Sequence, residues 1–395
     1  MTDIKKEYRA CIRYFLENLQ YSKNSIGLVK DIVPSFSNRS SIAGSGYYFS
    51  ALVLAIKENI ISYDAGIKLA ELGLRTLENM EAPLGFFYHF YDINNAKHLG
   101  DCEVSDIDTS ILFLNLIVAA EFFKGSIKER TEKLIGKADW LAFLDKEKNV
   151  FLMAIDKQGK LFGYWDHYAE QLMVYVLAAG SQYGEEIGDK PYYSFIRDKG
   201  SYQGIDYIYS WQGSLFTYQY SQQFIDFRDT VDKEGTDWFL NSVNATKADK
   251  LYCHNHPEFF QSYQDKAFGL TACLTDKGYR ADFGAGLMGE KEIGNDGTVS
   301  PSGALGSLSF LNEEVLEAYD YYMSLPKLLG PYGLYDSFNL NHDEEIYTNG
   351  YVSINKGITM VSIANYLDET IWKLISQSEI IKKGLEVLGI RKRGN

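Results

Sequence analysis

The chain has no run of eighteen apolar residues, so no segment is long enough to cross a bilayer as a helix. Its first twenty residues, "MTDIKKEYRACIRYFLENLQ", are charged and amphipathic and lack the apolar centre of a signal peptide, which sets the expectation of a cytoplasmic protein. Cysteine is scarce: Cys11, Cys102, Cys253 and Cys273 have no C-x-x-C spacing and read as free, mostly buried thiols in a reducing compartment. Basic residues are outnumbered. The net charge is −14 and the pI about 5.0, and such a chain repels phosphate backbones, which argues against a nucleic-acid partner. The terminal "RKRGN" is too short to reverse this. There is no G-x-S-x-G and no P-loop. "GAGLMG", Gly284 to Gly289, has the glycine spacing of a dinucleotide loop. No strand precedes it and no matching acid follows, so a flexible loop is expected. Cys253, His254 and His256 in "YCHNH" want at least one further ligand to hold zinc, and none is evident. Neither metal nor cofactor is expected.

What remains is ordinary globular material for a large core. Of 395 residues, 46% are hydrophobic and 23% charged. Aromatics reach 15%, with 30 tyrosines, whose flat face and polar tip suit both packing and sugar rings. No linker divides the chain, and one domain over residues 1–395 is expected, as a monomer or weak oligomer.

Helical periodicity dominates and comes in two kinds. Amphipathic patterns lie at 4–19, 64–80, 127–138, 233–247 and 312–325, with a weaker one at 190–198. Patterns apolar on nearly every side lie at 41–57, 108–122, 168–180, 211–224, 263–273 and 356–367; a helix of that kind must be covered all round. The two kinds alternate, and a last pattern at 371–387 closes the series. The expectation is an all-α (α/α)6 toroid, six inner helices walled by six outer ones, with long loops (23–40, 81–105, 274–300) and short β pieces at the cleft. A linear helical solenoid is the competing architecture, but it wants a fixed repeat, and none is found. "NVFLMAID" and "GKLFGYW" are the expected strand pieces. Leu112, Leu116, Val174 and Leu177 are expected in the core.

In a toroid of this kind the inner helices all run the same way. Their N-termini share one rim, where helix dipoles favour negative charge. The rim collects Glu103, Asp106 and Asp108 before one helix, and Trp165, Asp166 and Glu170 at the next. Tyr209, Trp211 and Gln212 open a third. Asp166 and Glu170, one turn apart, are expected on one helix face. A buried carboxylate needs a reason, because desolvating its charge is costly. Two carboxylates with aromatic platforms in a cleft are what glycosidic hydrolysis requires. For Asp106 and Asp108, N-capping of the helix at 108 is an equal alternative.

The ordered blocks also resemble a known family. "SSIAGSGYYFSALVLAIKENIISYDA", "GFFYHFYD", "CEVSDIDTSILFLNLIVAAEFF", "YSWQGSLFTYQYSQQFIDFRD", "NDGTVSPSGALGSLSF", "YGLYDSFN" and "GYVSINKGITMVSIANYLDETIWKL" together resemble the bacterial glucoamylase-like (α/α)6 family. It includes endo-β-1,2-glucanases of glycoside hydrolase families 144 and 162 and a domain of cyclic β-1,2-glucan synthases. The resemblance implies a glucan or glucooligosaccharide substrate with β-1,2 linkage favoured, and an inverting reaction. It implies Glu170 as general acid, and Glu103, Asp108 and, in the "GFFYHFYD" block, His89 at the substrate site. Where the family carries I-D-x-G-P, this chain has Ile354-Asn355-Lys356-Gly357-Ile358. An amide cannot be a general base, so Asp108 or Asp336 is left for that role. A phosphorylase or transglycosylase, or a sugar-binding protein with reduced catalysis, stays open. A lyase on the same fold would want an acidic sugar, which the net charge disfavours.

Overall fold

The structure, a computed structural model, describes residues 3–20, 27–35, 37–263, 266–285, 293–341 and 343–394. Its central feature follows from sequence. "DIDTSILFLNLIVAAEFF" has no polar face, and in the fold nearly all of it is buried. Ser105 starts this helix by accepting a hydrogen bond from the Asp108 N–H at 3.2 Å, so one unpaired N–H of the first turn is satisfied. Each fully buried Leu or Ile contributes about 1.5–3 kcal/mol relative to an exposed one, which explains why such a helix takes the centre.

In chain order the helices are α1 Ile4–Glu17, α2 Ile42–Lys57, α3 Tyr63–Asn79, α4 Asp106–Phe123, α5 Gly125–Ile135, α6 Leu172–Gly180, α7 Gly184–Ile187, α8 Lys190–Ser194, α9 Phe216–Phe224, α10 Trp238–Asn255, α11 Phe260–Tyr263, α12 Pro301–Leu305, α13 Asn312–Met323, α14 Ser353–Asp368, α15 Thr370–Ile375 and α16 Glu379–Leu388. The protein is mainly helical, with short strand pairs. The apolar helices touch in sequence: α2 packs on α4 and α14, α4 on α6, and α12 on α14. Ser221 of α9 accepts from Met173 N–H of α6 at 3.0 Å, and Gln219 of α9 donates to Gly303 O of α12 at 2.6 Å. The amphipathic helices lie outside these. α1 packs on α2 and α14, α3 on α2, α5 on α4, α10 on α9, α13 on α12 and α16 on α6. Leu112, Leu116, Val174 and Leu177 are fully buried.

Glycine permits the closest of these approaches. A Cβ on Gly46 of α2 would lie 2.8 Å from Leu112 Cα of α4, and one on Gly180 of α6 would lie 1.8 Å from Ile380 O of α16.

The segments leading into the central helices are tied by short antiparallel pairs. Ile32–Val33 pairs with Tyr351–Val352 before α14, and Arg39–Ser41 before α2 pairs with Phe90–Asp92. Val104–Ser105 before α4 pairs with Val150–Ile155, which also holds Leu161–Tyr164 before α6. The expected strand pieces are therefore present.

Several expected boundaries are corrected. Residues 263–273 are not an inner helix. The chain leaves the helix at Tyr263, and Cys273–Thr275 is a strand. The Asp249 carboxylate takes the N–H groups of Gly269 and Leu270, and Gly269 has φ +126°, a backbone that cannot continue a helix. The vacated position is filled by α12 and the turns after it, where Gly303 and Gly306 sit close against Gly269 and Gln219. The 168–180 pattern begins only at Leu172. Asp166 and Glu170 are in a loop, not on one helix face, because Gln171 accepts from Ala169 N–H at 2.7 Å and donates to His167 O at 2.8 Å. The 211–224 pattern begins at Phe216, after a turn in which Trp211 and Gly213 both have positive φ. The 190–198 segment is helical only to Ser194, and the 233–247 pattern starts at Trp238, capped by Asp237. The 371–387 pattern is two helices, α15 and α16. Most of "GAGLMG" and part of the 23–40 loop lie outside the described residues. No helix is long and apolar enough to cross a membrane among the described residues.

Candidate active site

The loop that withholds Glu170 from α6 decides how this carboxylate is presented. Its backbone is pinned by Ser221, whose hydroxyl donates to Glu170 O at 2.7 Å. The side chain is half-buried, and Oε2 is screened from water without a hydrogen-bond partner. Burial, and then the charge of Asp108, raise its pKa to about 8. A carboxyl in that state keeps its proton at neutral pH and can give it away. Burial, and then Glu170, hold the Tyr47 phenol above its ordinary value; at Tyr220 burial comes first, then Tyr279, Tyr47, Glu170 and Asp108.

Asp108 stands in the first turn of α4. Its Oδ2 accepts from Ser105 Oγ at 2.5 Å, and its Oδ1 lies 3.8 Å from His89 Nε2. The other imidazole nitrogen, Nδ1, is 2.8 Å from Glu103 Oε1. Burial works against the imidazolium, but Asp108, Glu103 and Asp31 outweigh it and raise the His89 pKa to about 9. The same contact with His89 lowers the pKa of Glu103. Glu103, His89 and Asp108 thus form one row of alternating charge.

Asp106, two residues before Asp108, has a different setting. It is fully buried, and Trp165 Nε1 donates to both its oxygens at 3.2 and 2.9 Å. Burial pushes its carboxyl well up. It is closed off by Trp165 rather than open to a cleft.

Asp336 and Asn355 are brought together on the α14 side. The amide of Asn355 donates to Asp336 Oδ1 and Oδ2 at 3.0 and 3.2 Å and to Ala272 O at 3.1 Å; Leu274 N–H donates to Asp336 Oδ2 at 2.6 Å. Burial raises the Asp336 pKa to about 6 against these donors. Behind the pair is a small cavity of about 10 Å³, lined by Glu7, Lys356 and Thr359 among others. The ion pair of Lys356 Nζ with Glu7 Oε1, at 2.6 Å, is buried there.

The aromatic candidates are scattered around the opening. Trp211 is 52% exposed, tilted against the His167 ring at 6.0 Å. Gln212 donates to Ala281 O at 2.8 Å. Tyr209 is half-buried, its phenol raised by burial and by Asp198. Sequence reasoning did not single out Tyr279. This residue is 47% exposed on the hairpin Cys273–Thr275/Gly278–Arg280, yet burial of its hydroxyl end, Asp336, Cys273, Asp31 and Glu170 together hold its phenol well above the ordinary value. Its phenol thus feels the charge of both Asp336 and Glu170. Only its pairing opposite Leu274, whose N–H holds Asp336, could have flagged it, and that register is not visible in sequence. His254 lies in the last turn of α10 and His256 caps it, and among the described residues no cluster of three His, Cys, Asp or Glu could hold a metal ion.

Comparison with known proteins follows this geometry. No curated protein matches the sequence. Among solved structures, the chain is 24% identical to a "putative glucoamylase" from Bacteroides uniformis, covering 100% of this chain and 98% of that one at a TM-score of 0.87. It is 22% identical to an endo-β-1,2-glucanase from Chitinophaga pinensis crystallised with sophorotriose and glucose, covering 99% of both chains at a TM-score of 0.86. A β-1,2-glucanase from Parabacteroides distasonis is also 22% identical, with 98% of this chain and 60% of that one covered, at a TM-score of 0.85. At these identities the likeness establishes the fold. The glycoamylase family model, described as "Putative glucoamylase", matches residues 163–379, more than half of the chain and the stretch that carries Glu170, Tyr279, Asp336 and Asn355. The chain belongs to that family.

Proposed function

We propose that this chain is a single-domain (α/α)6 toroid, residues 1–395, and an inverting glycoside hydrolase acting on a β-glucan or glucooligosaccharide, with β-1,2 linkage favoured. The observation that carries the reading is the unbonded, water-screened Oε2 of Glu170 on a carboxyl with a pKa of about 8, beside Asp108. One acid keeps its proton and the other has an imidazolium for a neighbour. Glycosidic cleavage needs that asymmetry. Glu170 gives its proton to the leaving glycosidic oxygen. Asp108 draws a proton from water attacking the anomeric carbon on the opposite face. Asp336, already saturated by Leu274 and Asn355, holds the rim together and is the second choice for the base. Trp211 and Tyr279 offer faces for sugar rings. The β-1,2 preference is supported by the solved glucanases of like fold.

Asn355 favours a second reading. It stands where the resemblance leads one to expect an aspartate, so the chain could bind glycans with reduced catalysis, or transfer glycosyl groups to phosphate or sugar acceptors. The test is incubation with β-1,2-, β-1,3-, β-1,4- and α-1,4-glucans, with and without phosphate. New reducing ends from β-1,2-glucan alone, first released in the inverted anomeric form by NMR, support the proposal. Product only with phosphate moves it to a phosphorylase, and calorimetric binding without product moves it to a binding protein.

A further inference from the structure

The backbone of His89 is fixed on both sides. Its N–H donates to Glu103 O at 2.9 Å, and its carbonyl accepts from Ile42 N–H, the first residue of α2, at 3.0 Å. The ring is stacked on Phe90 at 3.8 Å, and the Arg39 guanidinium lies over the other aromatic partner of that stack, 4.4 Å from the Phe90 ring. These contacts hold the imidazole in one orientation. Glu103 takes Nδ1, which sends Nε2 toward Asp108. At 3.8 Å the second contact is too long for a hydrogen bond and acts as a charge–charge contact.

We propose that His89, clamped by Glu103, is a positioning residue that holds an imidazolium against Asp108 Oδ1 and so fixes the orientation of this carboxylate, whose other oxygen is taken by Ser105. This rests on the hydrolase reading for its functional consequence, but not for its physical content. The charged groups facing His89 are Asp108 on α4, Glu103 in the segment before α4, and Asp31 before the strand Ile32–Val33, itself paired with Arg39 at 2.8 Å. Three carboxylates against one guanidinium favour the imidazolium. It is raised above its ordinary value, so its charge is complete near neutrality and is lost only as pH climbs through about 9. The role differs from a substrate contact: His89 acts on Asp108, and substrate need not touch it.

Two measurements test this. Imidazole titration by NMR, with the His89 signal assigned from the His89→Gln spectrum, should give a pKa near 9 in the native protein. It should fall by about one unit or more in Asp108→Asn and in Glu103→Gln, the size expected for losing an opposite charge at this range. A His89 pKa near 6.5, or one unmoved by Asp108→Asn, overturns the proposal whether or not the protein cleaves glucans. In steady-state kinetics, His89→Gln should lower kcat about 10–100-fold, with KM little changed. Glu103→Gln should instead bring the alkaline limb of the pH–rate profile down, because His89 then loses its charge at lower pH. A higher KM with kcat unchanged would make His89 a substrate contact and overturn the positioning role. Should His89→Gln fail to fold, the titrations in Asp108→Asn and Glu103→Gln still decide.

Discussion

The carboxylates of Glu170 and Asp108 on one hand, and of Asp336 on the other, are built on opposite plans. On the α4–α6 side, Glu170 has a buried oxygen with no partner, and Asp108 has one oxygen on Ser105 and the other facing His89 across 3.8 Å. On the α14 side every feature of Asp336 is satisfied, by Leu274 and by the amide of Asn355, and behind it the buried pair Glu7–Lys356 is closed as well. Unsatisfied polar atoms in a folded interior are costly and uncommon. The unpaired Oε2 of Glu170 against the paired oxygens of Asp336 is the contrast on which the proposed division rests, Glu170 for chemistry and Asp336 for holding its end of α14.

The largest expected effect breaks that comparison if it fails. Glu170→Gln should lower turnover by about 10²–10⁴-fold, the usual contribution of a general acid, with no loss of thermal stability. Asp336→Asn should cost less than about tenfold in turnover but should destabilise the fold by about 1–3 kcal/mol, because buried donors lose a charged acceptor. Turnover measured beside a melting curve separates the two. Equal losses of turnover would erase the distinction.

Next comes the buried ion pair. Lys356→Met leaves Glu7 buried beside an apolar side chain and should cost about 3–5 kcal/mol in denaturant unfolding. The Glu7→Gln/Lys356→Met double variant should recover most of this, and the pH–rate profile should not move in either protein.

How much of this was legible beforehand differs between the same two regions. Around α4 the sequence was informative, since "DIDTSILFLNL" carries two acids and an apolar run with no polar face, although the cap is Ser105 and not Asp106 or Asp108, which the sequence offered for that role. The resemblance to the glucoamylase-like family placed Glu170 and Asn355 residue by residue. What was hidden is tertiary. Gln171 folds back on its own loop and delays α6, so the shared helix face expected for Asp166 and Glu170 does not form. "AFGLTAC" is as apolar as the other inner helices, yet Asp249 captures its backbone N–H groups and Gly269 turns it out, while the small residues of "SPSGALGSLSF" take its place. Periodicity counts apolar residues and is blind to which helix a glycine lets approach.

A smaller effect sharpens the α14 side. Asn355→Asp would set two carboxylates 3.0 Å apart, and like charges at that distance cannot both ionise. The Asp336 pKa, already raised to about 6, should rise further. A carboxyl raised in the folded state stabilises below its unfolded value and loses that contribution as pH climbs through the folded one. Asn355→Asp should therefore melt close to the native protein at pH 4 and below it at pH 8, by about 1–3 kcal/mol. Its hydrolysis should not exceed that of the native chain. A gain would mean that a base was missing and position 355 supplies it.

The smallest effect is at the opening. Trp211 is 52% exposed, so Trp211→Ala should change stability by no more than about 0.5 kcal/mol. Loss of one aromatic platform should raise KM by about 5–10-fold, taking about 1–1.4 kcal/mol for such a face. An unchanged KM would remove Trp211 from the substrate path.

The most direct test of the central claim needs no substrate. With glutamate carboxyl carbons labelled by ¹³C, one resonance should titrate near pH 8 in the native protein and vanish from the spectrum of Glu170→Gln. That result would establish a carboxyl that holds its proton at neutral pH at the place where the free oxygen lies. If every glutamate instead titrates below about pH 6, Glu170 is ionised at neutrality, and it cannot be the proton donor on which the account rests.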